Sequence, residues 1–254
     1  LLVSFSASAA EIPPNDRVIQ QLSNGGLRGS LPTQIRLMNW NILKGERGEP
    51  WRRDFSNFSS DRNIVLVQEG YQSPLVLQTL QSLSGLSFYM ANSFVWKGAL
   101  TGVISGFAVE PLKQEFRRSP QFEPILNSPK MSFISYFEMS NGKPLVVVNV
   151  HGINFVGPEK LKNQLEDIIS VLANYRGALI FAGDFNTWNE ARDEVLQKAA
   201  QKLGVEEIPF ERKKEGKVLD HVFQRGCLLE KSWVLNDVDS SDHDPEFVDL
   251  NCNN

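Results

Sequence analysis

Short apolar runs recur along the chain between polar turns, a pattern typical of a protein built largely from β-strands. Two runs, 64–67 and 145–148, are continuously apolar rather than alternating, as expected when a strand is covered on both faces. The pattern predicts strands over residues 35–43, 64–68, 88–92, 102–105, 131–138, 145–150, 178–182, 218–224, 228–234 and 247–252.

Helical periodicity is confined to three segments between these runs, 74–83, 158–174 and 190–202. The middle one starts at Pro158, where the missing N–H is harmless, and its apolar residues form one stripe that should lie on a sheet face. Two packed, mainly antiparallel sheets flanked by helices satisfy this pattern, so the expected fold class is an α/β sandwich. Without an internal repeat or a long linker, residues 34–254 are expected to form one domain.

The first 33 residues differ in composition from the rest. Residues 1–10 carry no charge and end in small side chains, which resembles the tail of an export signal and predicts a secreted or periplasmic protein. Residues 11–33 are rich in proline and glycine and lack a sustained apolar period, which predicts an extended leader.

Charge and cysteine content limit the possible functions. The 254 residues include 26 basic and 30 acidic side chains, a net charge of -4, so a polyanion must be met by a local basic patch. Cys227 and Cys252 are the only cysteines, which excludes a disulfide scaffold and a four-cysteine zinc site. Their pairing remains open, because sequence does not give the distance between their Cα atoms.

Polar residues stand at the ends of several predicted strands, where a rigid scaffold can present them to solvent. Asn41 ends the first strand and is interpreted either as a buried structural amide or as a site residue. Glu69 follows a buried run and is either a ligand for a hard cation or a solvated loop carboxylate. Asn149 and His151 alternate onto one side of their strand and could share a site.

Two further strand ends give stronger signals. Asp184 and Asn186 alternate onto one side directly after a buried strand, which favours a functional carboxylate and amide. Asp220 could orient His243 from across the sheet and fix its tautomer, leaving Asp242 free for a metal. The alternative for the segment around His243 is a simple turn or helix cap.

The order of these motifs resembles the endonuclease/exonuclease/phosphatase superfamily, which includes pancreatic-type deoxyribonucleases, abasic-site endonucleases, sphingomyelinases and inositol polyphosphate phosphatases. The resemblance extends from about Gln34 to Leu250 and implies a four-layer α/β sandwich with its site at one rim of the paired sheets. The matching segments, in order, are Trp40-Asn41-Ile42, Gln68-Glu69, Asn149-Val150-His151, Gly183-Asp184-Phe185-Asn186, Asp220 and Ser241-Asp242-His243.

The resemblance also implies a role for each matched position. Glu69 would bind Mg²⁺ or Mn²⁺, with Asn41 close by and Asp242 contributing directly or through water. Asp184 would orient or deprotonate the attacking water, and Asn186 would donate a hydrogen bond to phosphoryl oxygen. His151, and His243 held by Asp220, would supply acid/base or transition-state hydrogen-bonding functions. His221, on the opposite side of its strand, would be dispensable for activity.

His151 stands where abasic-site enzymes have another residue, which places the chain in a histidine-bearing branch. The run from His151 to Phe155, including Asn154, resembles a bacterial subgroup of unassigned substrate. Candidate phosphate contacts are basic and polar residues near the site motifs, although the charged segment 44–54 could equally be a solvated face. These candidates are Arg52, Arg53, Lys130, Asn154 and Arg192, with Trp51 as a possible stacking partner.

The sequence thus predicts a monomeric, divalent-metal-dependent phosphodiesterase without an integral membrane segment, with nucleic acid as its substrate. A phospholipid, a sphingolipid or a small phosphoester is the alternative substrate, and a non-catalytic binding module on the same fold is the alternative function. The apolar segment from Phe94 to Trp96 is the short candidate for contact with a membrane.

Overall fold

The computed structural model describes residues 10–213 and 216–253. Its elements follow one another as β1 (Ile19–Gln21), β2 (Gln34–Asn41), α1 (Glu49–Ser59), β3 (Ile64–Tyr71), α2 (Pro74–Ser82), β4 (Ser87–Trp96), β5 (Ala99–Phe107), β6 (Lys113–Arg118), β7 (Met131–Glu138), β8 (Pro144–His151), α3 (Pro158–Leu172), β9 (Ala178–Asp184), α4 (Glu190–Leu203), β10 (Glu206–Glu207), β11 (Asp220–Arg225), β12 (Leu228–Val234) and β13 (Glu246–Asn251).

The strands form two sheets. One has seven strands in the order β1-β4-β5-β3-β2-β13-β12, and the other has six in the order β10-β11-β9-β8-β7-β6. Each sheet is antiparallel except for one central parallel pair, β2 with β3 and β8 with β9. The predicted α/β sandwich of two packed, mainly antiparallel sheets is confirmed.

Three apolar cores hold the layers together. The first lies between the sheets and is built from residues such as Leu37, Val147 and Ile180. The second buries the apolar stripe of α3 and one face of α4 against the six-stranded sheet, and the third buries α1 and α2 against the seven-stranded sheet. Because strands β3 and β8 are covered on both faces, their central residues are continuously apolar. Among the helices of the described ranges, none is long and apolar enough to cross a membrane.

The segment before β2 is part of the fold rather than a leader lying outside it. Residues 19–21 pair with β4, and Val18 and Leu31 are fully buried in the core between the sheets. The burial of these apolar side chains stabilises the segment on the domain, although proline and glycine obscure any regular period in its sequence. The export-like segment was predicted over residues 1–10, and its first nine residues lie outside the described ranges.

The charged segment after Asn41 contains a helix that the sequence analysis missed. Trp51 and Phe55 lie four positions apart on α1 and are both fully buried, so Trp51 belongs to the core and is not a stacking surface for substrate. This spacing is the signal that could have predicted the helix. The strands β1, β6 and β10 were also missed, since they are short or mostly polar.

The two cysteines form a disulfide. Strands β12 and β13 are antiparallel, with Leu228 opposite Asn251, and this register brings Cys227 beside Cys252. Their Cα atoms are 4.2 Å apart. The pairing left open by the sequence is therefore present, and it joins the two ends of the β12–β13 hairpin.

Candidate active site

The carboxyl ends of the two parallel pairs meet at one edge of the sandwich. Asn41 is paired with Gln68 in one sheet, and His151 is paired with Asp184 in the other. Strands β8 and β9 approach very closely there: a Cβ on Gly183 would lie 1.9 Å from the carbonyl oxygen of Val150. A side chain at this glycine would push the two strands apart and move Asp184 away from His151.

Asp184 is the buried centre of this edge. One carboxylate oxygen accepts a hydrogen bond from the Asn41 side-chain amide at 2.9 Å, and the other accepts one from the Asn186 backbone N–H at 2.9 Å. Burial and the neighbouring charge of Asp220 raise the pKa of Asp184 to about 6, although His243 and the two hydrogen bonds oppose the shift. Asp184 is thereby a carboxylate that can accept a proton near neutral pH.

His243 is held by Asp220 from the neighbouring sheet. Its Nδ1 lies 2.6 Å from Asp220 Oδ2, and its backbone carbonyl accepts a hydrogen bond from the Trp40 indole at 2.8 Å. Burial alone would lower the pKa of His243, but the charges of Asp220, Asp184 and Asp242 and the Asp220 hydrogen bond raise it to about 10. The imidazole is therefore protonated at neutral pH, with Nε2 on the side of the ring away from Asp220.

His151 differs from His243 in charge. Burial and the nearby cations Lys130 and Lys44 hold the pKa of His151 well below its usual range, so the ring is neutral. Its Nε2 lies 3.7 Å from Asp184 Oδ2, which is too long for a hydrogen bond. The edge thus combines a carboxylate, a neutral imidazole and an imidazolium.

Glu69 is directed into a neighbouring pocket by a bulge in β3. The register with β5 shifts between Val67 and Gly70, and Glu69 adopts a φ of 52°. Its carboxylate forms an ion pair with Lys44. Burial would raise the pKa of Glu69, but the charges of Lys44, Lys130 and His243 lower it below its usual value. Glu69 is therefore an anion, and the cations around it compensate its buried charge.

The other two predicted metal ligands have different surroundings. Asn41 uses its amide N–H on Asp184, and its side-chain oxygen accepts the Leu43 backbone N–H at 3.1 Å, so both of its polar atoms are engaged within the protein. Asp242 is exposed and lines a second cavity together with Asp220 and His243. Asp184 contacts His151 of the Glu69 pocket and lies beside Asp220 and His243, so it stands between the two cavities.

The residues of this edge fit a small hard cation. Potential ligand atoms of Asp184, Asp220 and His243 lie within 4.8 Å of one another. Within the described chain, the buried Oδ1 of Asp220 has no hydrogen-bond partner, so a carboxylate oxygen is left over in this group. Carboxylate oxygens are the ligands that Mg²⁺ and Mn²⁺ prefer. Asp242 lines the same cavity as Asp220 and His243, and Glu69 lies in the neighbouring pocket.

Sequence reasoning missed a buried polar network beneath the site. Gln68 donates to Asn39 at 2.9 Å and to Asn149 at 2.7 Å, and thereby links the two sheets. Asn39 donates to Glu246 at 2.8 Å, and Arg212 forms an ion pair with the same carboxylate. Asn149 therefore crosslinks the sheets and does not share a site with His151. In the sequence, this network could have been predicted only from strand alternation, which places the amide side chains on the inward faces of their strands.

Arg192 requires the clearest correction among the predicted phosphate contacts. It is fully buried, and its guanidinium donates to the backbone carbonyl oxygens of Asn186 at 2.6 Å, Val156 at 2.9 Å and Ile153. It fixes the loops after β8 and β9 to each other and cannot reach a phosphate. Backbone carbonyl oxygens accept the hydrogen bonds of its guanidinium, and a sequence does not reveal such contacts.

The remaining predicted contacts are placed as follows. Arg52 and Arg53 lie on the exposed face of α1, where they pair with Glu49 and Asp54 at 2.6 and 3.1 Å. This arrangement agrees with the solvated-face alternative. Lys130 lies 3.4 Å from Glu123 in the wall of the Glu69 pocket.

Asn154 and Asn186 both support loops at the site. Asn154 Oδ1 accepts hydrogen bonds from the Phe155 backbone at 2.8 Å and from the Trp188 indole at 3.0 Å. Asn186 is buried, and its side-chain amide donates to the Gly152 carbonyl at 3.0 Å. Each side chain thus has a structural partner beside this edge of the sandwich.

His221 lies on the face of β11 opposite to Asp220 and anchors the loop after β9. Its Nε2 lies 2.7 Å from Thr187 Oγ1, and its Nδ1 lies 2.6 Å from Glu207 Oε1. The Thr187 hydroxyl proton is donated to the Val218 carbonyl at 2.7 Å, so the ring must donate at Nε2. Since Glu207 accepts at Nδ1, His221 is an imidazolium.

We expect His221→Gln to lower the free energy of unfolding by about 2 kcal/mol at pH 6, because it removes hydrogen bonds to a charged group with a partly exposed partner. Burial lowers the pKa of His221, but Glu207, Glu246 and Asp220 raise it above 6.5 overall. Its stabilisation is therefore complete below about pH 6.5 and is lost as pH rises through the folded-state pKa. Urea unfolding at pH 6 and pH 9 checks this; an equal loss at both pH values would contradict it.

The sequence of this chain matches a known family over most of its length. Residues 38–243 match the model of the Endonuclease/Exonuclease/phosphatase family, a span that contains every site residue described above. The chain belongs to this family. A UPF0294 protein of Vibrio parahaemolyticus is 35% identical over 226 residues, which cover 87% of this chain and 79% of that protein.

Solved structures of the family share the fold at low sequence identity. An endonuclease/exonuclease/phosphatase from Beutenbergia cavernae superposes with a TM-score of 0.68 and 16% identity, covering 86% of this chain and 71% of that one. D. rerio TDP2 complexed with a single strand DNA product superposes with a TM-score of 0.65 and 15% identity, covering 86% and 99%. These likenesses establish the fold. Members of the family are hydrolases that act on phosphoester bonds.

Proposed function

We propose that this family member is a divalent-metal-dependent phosphodiesterase whose substrate is nucleic acid. The observation that carries the proposal is the arrangement around Asp184, where a carboxylate with a pKa of about 6 lies beside the imidazolium of His243 and the neutral ring of His151. Hydrolysis of a phosphodiester requires one group that accepts a proton and another that donates one, and this edge provides both.

In the proposed reaction, Asp184 orients a water and accepts its proton as the water oxygen bonds to phosphorus. The bond from phosphorus to the ester oxygen then breaks, and His243 donates its Nε2 proton to the departing oxygen. Asp220 keeps the His243 ring oriented through its 2.6 Å contact at Nδ1. The neutral ring of His151, whose Nε2 lies 3.7 Å from Asp184 Oδ2, forms a hydrogen bond with a phosphoryl oxygen.

Glu69, Asp242 and the Asp220 oxygen without a partner are the residues proposed to hold Mg²⁺ or Mn²⁺. When bound, such an ion neutralises charge that develops on the phosphoryl oxygens. Lys44 forms an ion pair with Glu69, so this carboxylate already has one cation beside it.

The proposed substrate and location have separate support. The structurally similar TDP2 was solved with a single strand DNA product. The disulfide between Cys227 and Cys252 favours an oxidising compartment, in agreement with the export-like start of the sequence. Secretion or a periplasmic location is therefore part of the proposal.

A substrate panel tests the proposed function. We expect the protein with Mg²⁺ or Mn²⁺ to hydrolyse bis-p-nitrophenyl phosphate and single-stranded DNA or RNA, and EDTA to abolish both activities. Sphingomyelin vesicles and p-nitrophenyl phosphate serve as the lipid and monoester arms. Turnover of sphingomyelin alone would make the substrate class wrong. If no member of the panel were hydrolysed at any metal concentration, the enzymatic proposal would fail in favour of a binding module.

A further inference from the structure

A small pocket opens beside the catalytic edge and shares residues with it. Its volume is about 190 Å³, and Glu69 and His151 contribute to its lining. Apolar walls are supplied by Phe94, which is almost fully buried, and by Phe155 at the mouth. A phosphate held at His151 would therefore have one of its two ester groups next to this pocket.

Phe155 is presented in an unusual way. It is 62% exposed and has a φ of 57°, a left-handed conformation that is costly for a bulky side chain. Strain of this kind persists only when the surroundings impose it, and it concentrates at ligand sites. An exposed phenyl ring gains little from packing, so its own burial does not explain the conformation.

The loop beneath Phe155 is held by buried side chains. The Ile153 N–H donates to Gln164 Oε1 at 2.7 Å, and the Asn154 N–H donates to Glu123 Oε1 at 2.8 Å. Arg192 binds the carbonyl oxygens on both sides of Phe155. The backbone that carries the ring is consequently fixed at the mouth of the pocket, so little backbone ordering is needed when a ligand stacks on the ring.

The size and charge of the pocket select its occupant. It is smaller than the pockets of about 300–1,000 Å³ that hold drug-sized ligands, so it takes one ring system and excludes a base pair or a double acyl chain. Its two cations are each paired with an anion, Lys44 with Glu69 and Lys130 with Glu123. Such compensated charge favours a neutral group over a second phosphate or a quaternary ammonium.

We propose that this pocket binds a single unpaired nucleobase of the substrate, stacked on Phe155, next to the phosphate that is cleaved. The proposal rests on the proposed function for the identity of that phosphate. It predicts that the protein acts on single-stranded or terminal nucleotides, because a base in a duplex cannot enter the pocket. Base stacking on aromatic side chains does not depend strongly on the identity of the base.

Binding in EDTA tests the pocket without turnover. We expect uridine 5′-monophosphate to bind at least about tenfold more tightly than ribose 5-phosphate, which lacks the base. Phe155→Ala should abolish this difference, and Phe155→Tyr should retain it. Leu112→Ala, which removes an exposed apolar side chain outside the pocket, should leave both affinities unchanged. Isothermal titration calorimetry gives each constant.

A stability measurement separates ligand binding from misfolding. Because Phe155 is strained and exposed, Phe155→Gly should leave the thermal midpoint unchanged or higher while removing the preference for the nucleotide. A marked fall in the midpoint would show that Phe155 serves the fold and would overturn the assignment.

The results also distinguish this proposal from the proposed function. Equal affinity for uridine 5′-monophosphate and ribose 5-phosphate would overturn the nucleobase pocket even if bis-p-nitrophenyl phosphate is hydrolysed. A nucleotide preference that survives Phe155→Ala would overturn stacking on that residue. Phe155-dependent binding to sphingomyelin vesicles with no nucleotide preference would replace the base with a lipid surface. A Phe155-dependent nucleotide preference without hydrolysis would leave the pocket standing and the catalytic proposal refuted.

Discussion

Asp184→Asn is expected to lower kcat for phosphodiester hydrolysis by about 10³-fold or more, since it removes the only proposed proton acceptor of the attacking water. The side chain keeps its size but loses its charge. The substitution also replaces one carboxylate oxygen with an NH₂ group. This new donor faces either the Asn41 amide or the Asn186 backbone N–H, which are themselves donors, so one hydrogen bond is lost. Steady-state kinetics with bis-p-nitrophenyl phosphate and Mg²⁺ measures the loss.

A matched double variant separates the chemistry of Asp184 from its structural role. Asp184→Asn combined with Asn41→Asp reverses donor and acceptor across the 2.9 Å hydrogen bond and keeps the total charge. The oxygen that accepts the Leu43 N–H is also preserved. We expect the double variant to recover thermal stability but not activity. Recovery of kcat to within tenfold of the wild type would show that Asp184 only supports the structure.

His243→Ala is expected to lower kcat by about 10²- to 10⁴-fold, because it removes the proposed proton donor. It also leaves the largely buried Asp220 carboxylate without its 2.6 Å partner, so a loss of stability should accompany the loss of activity. His221→Gln is the matched control: it removes a buried imidazolium paired with a carboxylate on the opposite face of β11, and we expect kcat to fall less than tenfold.

Kinetics of Asp220→Asn, alone and combined with His243→Ala, show whether the carboxylate acts through the histidine. If it does, Asp220→Asn slows the wild type and has little further effect once His243 is absent. Independent, multiplicative losses would show that Asp220 also acts apart from His243, as expected if its Oδ1 contacts the metal. A loss for His221→Gln as deep as that for His243→Ala would overturn the division between the two histidines.

Strand alternation predicted one part of the site correctly, but it did not show that Asn149, on the same side of its strand as His151, crosslinks the sheets. Asp184 follows a continuously buried strand, and Asp220 and His221 alternate, so their opposite faces could be assigned before the structure was known. The segment around Trp51 was harder to interpret, because its many charges obscured the pair of buried aromatic residues that defines α1. Periodicity of the apolar residues was the better guide there than charge.

The errors in ligand and substrate contacts arose from partners that are distant in sequence. Arg192 was read as a phosphate contact, yet its guanidinium is satisfied by carbonyl oxygens contributed by two loops. Gln68 and Asn149 meet across the sandwich although 81 positions separate them. Hydrogen bonding between sheets depends on how the sheets pack, and a single sequence does not specify that packing.

Cleavage of an end-labelled single-stranded oligonucleotide over a titration of Mg²⁺ tests the central claim most directly. The wild-type protein should cleave with saturable dependence on the metal, and the folded double variant Asp184→Asn with Asn41→Asp should not. Absence of wild-type cleavage with either Mg²⁺ or Mn²⁺, or equal cleavage by both proteins, would contradict a metal-dependent phosphodiesterase centred on Asp184.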